Sequence, residues 1–465
     1  MSKGIGSWIV WAFCFGAAWA LLAPASSAAP LQAGTAKGVI TPQDYAGRIG
    51  VMGKPLEGVN KDIQARVLVL NDGEKRLVIV TYDLNCLDVG TPLLRKRCRD
   101  ELGIDAAYLI PLATHNHCAP IQIVPDNFDY GRWLADKIFA LIQEAIANEQ
   151  GPAQVHFGFG HGYFLKAMGN APIDYEVQVL KVTREEKPIA VLFNHPAHPC
   201  QIEYNKIGTG HFGYACDTIE ERLPGALALY ADACGGNQFT VKGMNAEVGE
   251  VQALGHELAE AALSVVNGPM QDVTGPLHST FEVIPLPFAE PMPYEEAKEL
   301  AAEFPADIGF VPYPHKDRES NWVRSLIQHY EEKTPFPTKT TDRVCTDDGF
   351  LVQQLDTPRE FECRYEEAIA ARIGPLVFVA MQGEVCAPIG MRIKDQFRYE
   401  TPIMVFAYMG EHNLYIPTRE LVRLNMYQAQ TLQIQYASPV RWDPAVEDDM
   451  VRAVKRMVRN LMKDE

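Results

Sequence analysis

The chain has 465 residues, of which 59 are acidic and 42 basic, giving a formal charge of −17 with 47% hydrophobic content. That balance argues against a nucleic-acid binder, because a net negative charge supplies no basic field to draw phosphates. Past residue 29 the sequence shows no short-period repeat and no low-complexity segment, and no stretch has the roughly 20 apolar residues that a membrane-spanning helix takes.

In chain order, Lys3 precedes an apolar run over residues 8–22, and the small residues Ala25, Ser26, Ser27, Ala28 and Ala29 follow. A basic residue, a short apolar segment and a small-residue cleavage site make up a signal peptide, predicted here over residues 1–29. The protein is therefore expected to be secreted or periplasmic, with no stable membrane span once the leader is removed. Lys3 is the only charge in the leader, so the remainder carries −18 against −17 for the whole chain. Residues 30–465 are read as one large catalytic domain.

Residues 66–70 (RVLVL) and 77–81 (LVIVT) flank Asn71-Asp72-Gly73 and predict a hairpin. Residues 155–159, 177–182, 189–193, 376–381 and 403–407 are similar short runs, suited to buried central strands. Leu134, Ile138, Leu141, Ile142 and Ala145 share one helical face. Val251, Leu254, Leu258, Ala262 and Val265 share another, and Met450, Val454, Met457 and Leu461 a third. This mixture predicts an α/β (mixed α+β) architecture, with central mixed β-sheets and flanking helices. Residues 291–361 differ in being charged and Pro-rich, with helical patterns at 294–304 and 320–333, and are expected to form a helical insertion.

Twelve histidines are unevenly spread. His115 and His117 lie in Thr114-His115-Asn116-His117-Cys118-Ala119-Pro120, after the strand-like residues 108–110. His195 and His198 lie in Asn194-His195-Pro196-Ala197-His198-Pro199, after the strand at 189–193. Both pairs stand at C-terminal strand ends, where α/β sheets collect ligands. Imidazole is the commonest zinc donor, and a catalytic site takes about three protein ligands plus water. Alternate side chains of an extended segment point the same way, so His115 and His117 can divide metal binding and proton handling between them. The competing account of each pair is a buried, merely hydrogen-bonded histidine, and spacing does not choose between His195 and His198.

Ten cysteines occur, and with Cys14 in the leader an odd number remain, so at least one thiol is unpaired or intermolecular. Spacings such as Cys86/Cys98 and Cys345/Cys363 permit disulfides in an oxidising compartment. No Cys-x-x-Cys occurs, which argues against a thiolate zinc site.

Six segments in one order carry a resemblance. They are residues 33–42 (AGTAKGVITP), 64–84 (QARVLVLNDGEKRLVIVTYDL), 114–120 (THNHCAP), 193–199 ending in Ala197-His198-Pro199, Gly383-Glu384 followed by Gly390-Met391-Arg392, and 414–420 (LYIPTRE). Together they resemble the catalytic domain of the neutral/alkaline, non-lysosomal ceramidase family. The resemblance implies a zinc-dependent hydrolase that cleaves an amide (N-acyl) bond of a small-molecule or lipid substrate by attack of a metal-bound water. It implies His115, His198, Glu384 and Tyr415 as zinc ligands, and His117 as a nearby non-ligand that handles protons.

The sequence departs from the family at two points. Cys118-Ala119 stand where the family has Ser-Gly, and Ala231-Asp232-Ala233-Cys234-Gly235-Gly236-Asn237 replaces a segment whose serine contributes a hydroxyl to the site. Cys234 stands nearest to that serine and is a candidate catalytic residue, set against an ordinary buried thiol. Full-length family members continue into a β-sandwich domain, which is expected to be missing here because one helix follows the Tyr415 motif. Two other readings compete: a secreted binding protein on the same scaffold with a vestigial metal site, and a cysteine-dependent hydrolase using Cys118 or Cys234 beside a histidine.

Overall fold

A computed structural model of the chain describes Met1 and residues 30–122, 124–304, 319–342, 366–411 and 414–463. The body of the expected leader, parts of the expected insertion, and Cys345, Cys363 and His412 lie outside the described residues.

The hairpin forms where the turn chemistry puts it. Gln64–Asn71 pairs antiparallel with Arg76–Tyr82. In the turn, Asn71 Oδ1 accepts from the Gly73 N–H at 2.8 Å and Asp72 Oδ1 from the Lys75 N–H at 2.7 Å. Gly73 takes φ +92°, a left-handed conformation open to glycine without steric cost. Gln32–Val39 joins one edge antiparallel and Leu109–Ala113 the other edge parallel, completing a four-stranded sheet.

A second sheet has five strands in the order Leu227–Asp232, Lys187–His195, Glu176–Arg184, Ala153–His161 and Gln271–Asp272. The first two of these run parallel, and the other pairs are antiparallel. A third sheet orders Leu277–Val283, Glu367–Ile373, Leu376–Met381 and Ile403–Phe406, with only the last pair parallel.

Alternation along these strands builds the layers. Leu68, Leu70 and Ile79 of the first sheet, Leu180 and Leu192 of the second, and Phe378 and Phe406 of the third share one buried cluster, so the sheets meet face to face. Their neighbours Val67, Val69, Val78, Val377 and Val379 point the other way, into a cluster with the helices Phe128–Ala147, Ala387–Phe397 and Val446–Leu461. On the far side, Val177, Val179, Val191 and Phe193 pack beneath the helices His211–Arg222 and Val248–Asn267. Helix, sheet, sheet and helix therefore form four layers, and the mixed architecture expected from the sequence is the one observed. The three helical stripes all fall on helices, with Leu134, Leu258 and Val454 buried.

Between residues 291 and 342 the described chain forms the helices Tyr294–Ala301 and Glu319–Glu332, packed through Ala297, Trp322, Val323 and Leu326. Cys98 is a buried thiol on the helix Gly90–Leu102, facing the core rather than a second cysteine. The Cys86–Cys98 bridge permitted by spacing is thus not formed. No helix among the described residues is long and apolar enough to cross a membrane.

Candidate metal centre

His115 stands two residues beyond the strand Leu109–Ala113, in a loop held by backbone and amide hydrogen bonds. The Thr114 N–H donates to the Tyr82 carbonyl at 3.1 Å and the Asn116 N–H to the Leu84 carbonyl at 3.0 Å. The Asn116 amide donates to the carbonyls of Asp83 and Gly208 at 2.8 and 2.9 Å. So pinned, His115 adopts φ +54°, a left-handed conformation rare for a side chain of its size and a mark of functional sites.

His198 follows the strand Lys187–His195. Its N–H donates to the Gln238 carbonyl at 2.9 Å, and its Nδ1–H donates to the Gly235 carbonyl at 2.9 Å. That hydrogen bond puts the ring proton on Nδ1 and leaves the Nε2 lone pair facing the converging side chains. Gln201 joins the two histidine segments: its Oε1 accepts from the His117 N–H at 2.9 Å, and its amide donates to Asn116 Oδ1.

Glu384 and Tyr415 reach the same place on a two-stranded parallel ladder, Glu384–Val385 with Tyr415–Ile416, in which they are direct register partners. Gly383 makes the approach possible. It has φ +87°, and a Cβ there would lie 2.5 Å from the Leu414 carbonyl oxygen. The loop at 232–237 closes the arrangement: the Gly236 N–H donates to the Val385 carbonyl at 3.0 Å, and Asn237 Oδ1 accepts from the Ala387 N–H at 2.8 Å, at the start of the helix Ala387–Phe397.

These segments converge. The ligand atoms of His115, His198 and Glu384 all lie within 4.8 Å of one another, and all three side chains are buried. Glu384 Oε2 is 3.2 Å from His115 Nε2 and 3.1 Å from His198 Nε2. Tyr415 Oη is 2.9 Å from His198 Nε2. His117 Nε2 is 3.0 Å from His115 Nε2, while its Nδ1 is buried with no hydrogen-bond partner.

Two imidazoles, a carboxylate and a phenol around one point form a donor set that suits zinc. The electrostatics agree. Burial depresses the His115 and His117 imidazoles and so favours their neutral, ligating form. Burial alone would push the Glu384 carboxyl up, but His115 and His198 outweigh it and hold the group at about 2, ionised. Burial and the Glu384 charge push the Tyr415 phenol well above its ordinary value.

The remaining candidates lie apart. His195, which spacing left level with His198, turns its Nε2 to the Gly162 carbonyl at 3.2 Å and rests against Phe164. Cys118 donates its thiol to the Glu203 carbonyl at 3.1 Å, and burial pushes it up to about 12. Cys234 packs in the apolar core against Gly390, and burial raises its pKa also. Neither thiol is activated by a histidine, so the arrangement offers no thiolate nucleophile of the kind a cysteine hydrolase needs.

Sequence reasoning did not single out Asn85, Gln201 or Tyr408. The Asn85 amide lies 3.2 Å from His115 Nδ1, and the Tyr408 ring lies 4.4 Å, centroid to centroid, from the His115 ring. Isolated polar or aromatic residues such as these carry no periodic or motif signal.

Neither a family model nor a curated protein sequence matches the chain. Solved structures do. Neutral ceramidase from Pseudomonas aeruginosa superposes with a TM-score of 0.68 at 17% identity, covering 94% of this chain and 75% of that one. A ceramidase complexed with C2 gives 0.69 at 18% identity, covering 94% and 76%. The chain has a ceramidase-like fold. At this identity the likeness is one of architecture, and the chemistry of the ceramidase-like scaffold has to be argued from the residues it brings together.

Proposed function

We propose that this protein is an exported, zinc-dependent hydrolase that cleaves an amide (N-acyl) bond. The observation that carries the proposal is the buried convergence of His115, His198 and Glu384 on one point, with Tyr415 beside them, in a ceramidase-like fold. His115, His198, Glu384 and Tyr415 would hold the metal, which when bound supplies Lewis acidity and lowers the pKa of water toward neutrality.

The chain's own groups do the rest. Glu384 contributes the negative charge that retains a divalent cation in a dry site. Neutral His117 takes a proton at Nε2 from the water that attacks the carbonyl carbon, and returns it to the nitrogen as the C–N bond breaks, giving a carboxylic acid and an amine. Tyr415 keeps its hydroxyl proton before loading and places an oxygen beside His198 Nε2. The small-molecule or lipid class of the amide is carried over from the ceramidase neighbours as part of the same proposal.

The test is a purified protein assayed for metal content and for turnover of a panel of N-acyl amides, esters and peptides. About one zinc per chain is expected, with turnover abolished by a chelator and restored by zinc. His198→Ala should lose both metal and activity, and a fully active H198A protein would sink the proposal. A second reading, a secreted binding protein with a vestigial metal site, draws support from Cys234 lying in the core where the family motif supplies a hydroxyl. Binding of an N-acyl amide without turnover by the zinc-loaded protein would favour it.

A further inference from the structure

We propose that Lys166 and Phe239 form a substrate subsite beside the metal centre, and that the amide cleaved here carries a carboxylate, as an N-acyl amino acid does. The inference rests on the hydrolase reading above and names the substrate class within it.

Backbone pairing sets the two residues in one row with His198. The strand Gln238–Thr240 pairs antiparallel with Leu165–Ala167, and Phe239 and Lys166 are direct register partners. On its other edge Phe239 bridges to His198 in parallel. Side chains of partnered residues stand on the same face of a sheet, so His198, Phe239 and Lys166 form a line. Exposure rises along it: His198 is buried, Phe239 half-buried and Lys166 exposed. The Phe239 ring lies 4.9 Å from the His198 ring, centroid to centroid. Neighbouring strands lie about 4.8 Å apart, so the Lys166 backbone stands roughly 10 Å from that of His198. The flexible stem of a lysine is long enough to swing its ammonium back over the Phe239 ring.

The line ends in a cation without an anion. Lys166 Nζ donates to the Val241 carbonyl at 3.2 Å and meets no carboxylate among the described residues. Lys242, two residues past the same strand, differs: its Nζ lies 2.6 Å from Glu250 Oε1. In a chain with 59 acidic residues against 42 basic ones, an ammonium left without an acid beside the reaction centre is open to an anionic group of the substrate. Phe239 presents a flat apolar face, which suits a methylene chain or a ring. Lys166 presents one positive charge, which suits a carboxylate. A neutral lipid amide would use the ring and leave the ammonium idle, whereas an anionic N-acyl amide uses both.

The experiment compares N-octanoylglycine with N-octanoylglycinamide, which differ only in the carboxylate. Octanoate release is followed with the zinc-loaded protein, and binding of each compound to the metal-free protein is followed by calorimetry. Wild type is expected to favour the glycine conjugate about 3- to 10-fold in kcat/KM, chiefly through KM, the range of a charge-assisted contact that the substrate shields from water. The preference should shrink as salt rises. Lys166→Met should erase it, Lys166→Arg should keep it and Lys166→Glu should reverse it. A wild-type protein that treats the two compounds alike overturns the proposal, as does a preference that survives in K166M. Tighter binding of the glycine conjugate with no octanoate released from either compound would leave the subsite standing and overturn the hydrolase reading, which separates the two failures.

Discussion

At the residue scale the centre combines ionised and neutral donors that water would not hold together so cheaply. Glu384 is kept ionised with its pKa at about 2, and burial depresses the His115 imidazole. The sign of the pH response follows. Protons compete with a metal at the imidazole lone pair, and a lowered pKa moves that competition to lower pH. Zinc affinity is therefore expected to stay flat from alkaline pH down to the ordinary imidazole range near about 6.5, and to fall only below it. Glu384 does not add to the loss until far more acidic conditions. Chelator competition repeated across pH checks this, and a decline already under way at neutral pH would count against it. At this scale the two histidine motifs were legible because they follow strands and repeat one residue type. Glu384 and Tyr415 came only through resemblance, since a lone carboxylate and a lone phenol look like any strand-end acid and any core aromatic. Asn85, Gln201 and Tyr408 were not legible at all, because their roles arise from contacts between segments distant in sequence.

At the element scale the site depends on a glycine more than on any helix or long strand. Gly383 sits at φ +87° with the Leu414 carbonyl oxygen 2.5 Å from where a Cβ would be. Gly383→Ala is expected to cost about 1–3 kcal/mol and to weaken zinc binding with it, because the strain falls on the residue before Glu384. Gly249, at the start of the helix Val248–Asn267, has open space around its Cβ position. Gly249→Ala is expected to be neutral or stabilising by up to about 1 kcal/mol. Denaturant unfolding of the pair, alongside zinc titration, distinguishes the two.

The strands with strong β-branched runs and the three apolar helical stripes could be read from the sequence. Leu277–Val283 could not, because His278, Ser279, Thr280 and Glu282 leave it only half-buried and it is held by pairing with Glu367–Ile373. Gln32–Val39 was equally quiet. It carries Gly34 and Gly38, which weaken a strand signal, yet Gly34 is needed because a Cβ there would meet the Ala145 carbonyl oxygen at 2.0 Å. Strands of two residues, such as Glu384–Val385, are too short to show a period.

At the scale of the whole molecule, a buried ion cluster connects the layers. Lys394, on the helix Ala387–Phe397, donates to Asp174 at 2.8 and 3.0 Å and to Glu176, at the start of a strand in the second sheet. Lys394, Asp174 and Glu176 are nearly inaccessible to solvent. Removing one member of such a group leaves the others charged in a dry interior, and Lys394→Ala is expected to cost about 3–5 kcal/mol in urea unfolding. A loss under 1 kcal/mol would mean that water reaches the carboxylates and that the cluster is not a structural tie. The mixed layered architecture was readable from composition and periodicity, whereas which layers face each other was not, because strand order and sheet pairing are set by contacts between distant segments.

The pairing of Glu384 with Tyr415 bears on how this chain can vary without harm. Their separation is set by the gap between two hydrogen-bonded strands, a constant of backbone geometry, so the two oxygens stay side by side as long as that ladder keeps its register. A slip of one position on either strand, by contrast, would turn one of the two away from the other. The two side chains therefore behave as one unit, sensitive to a single step in alignment.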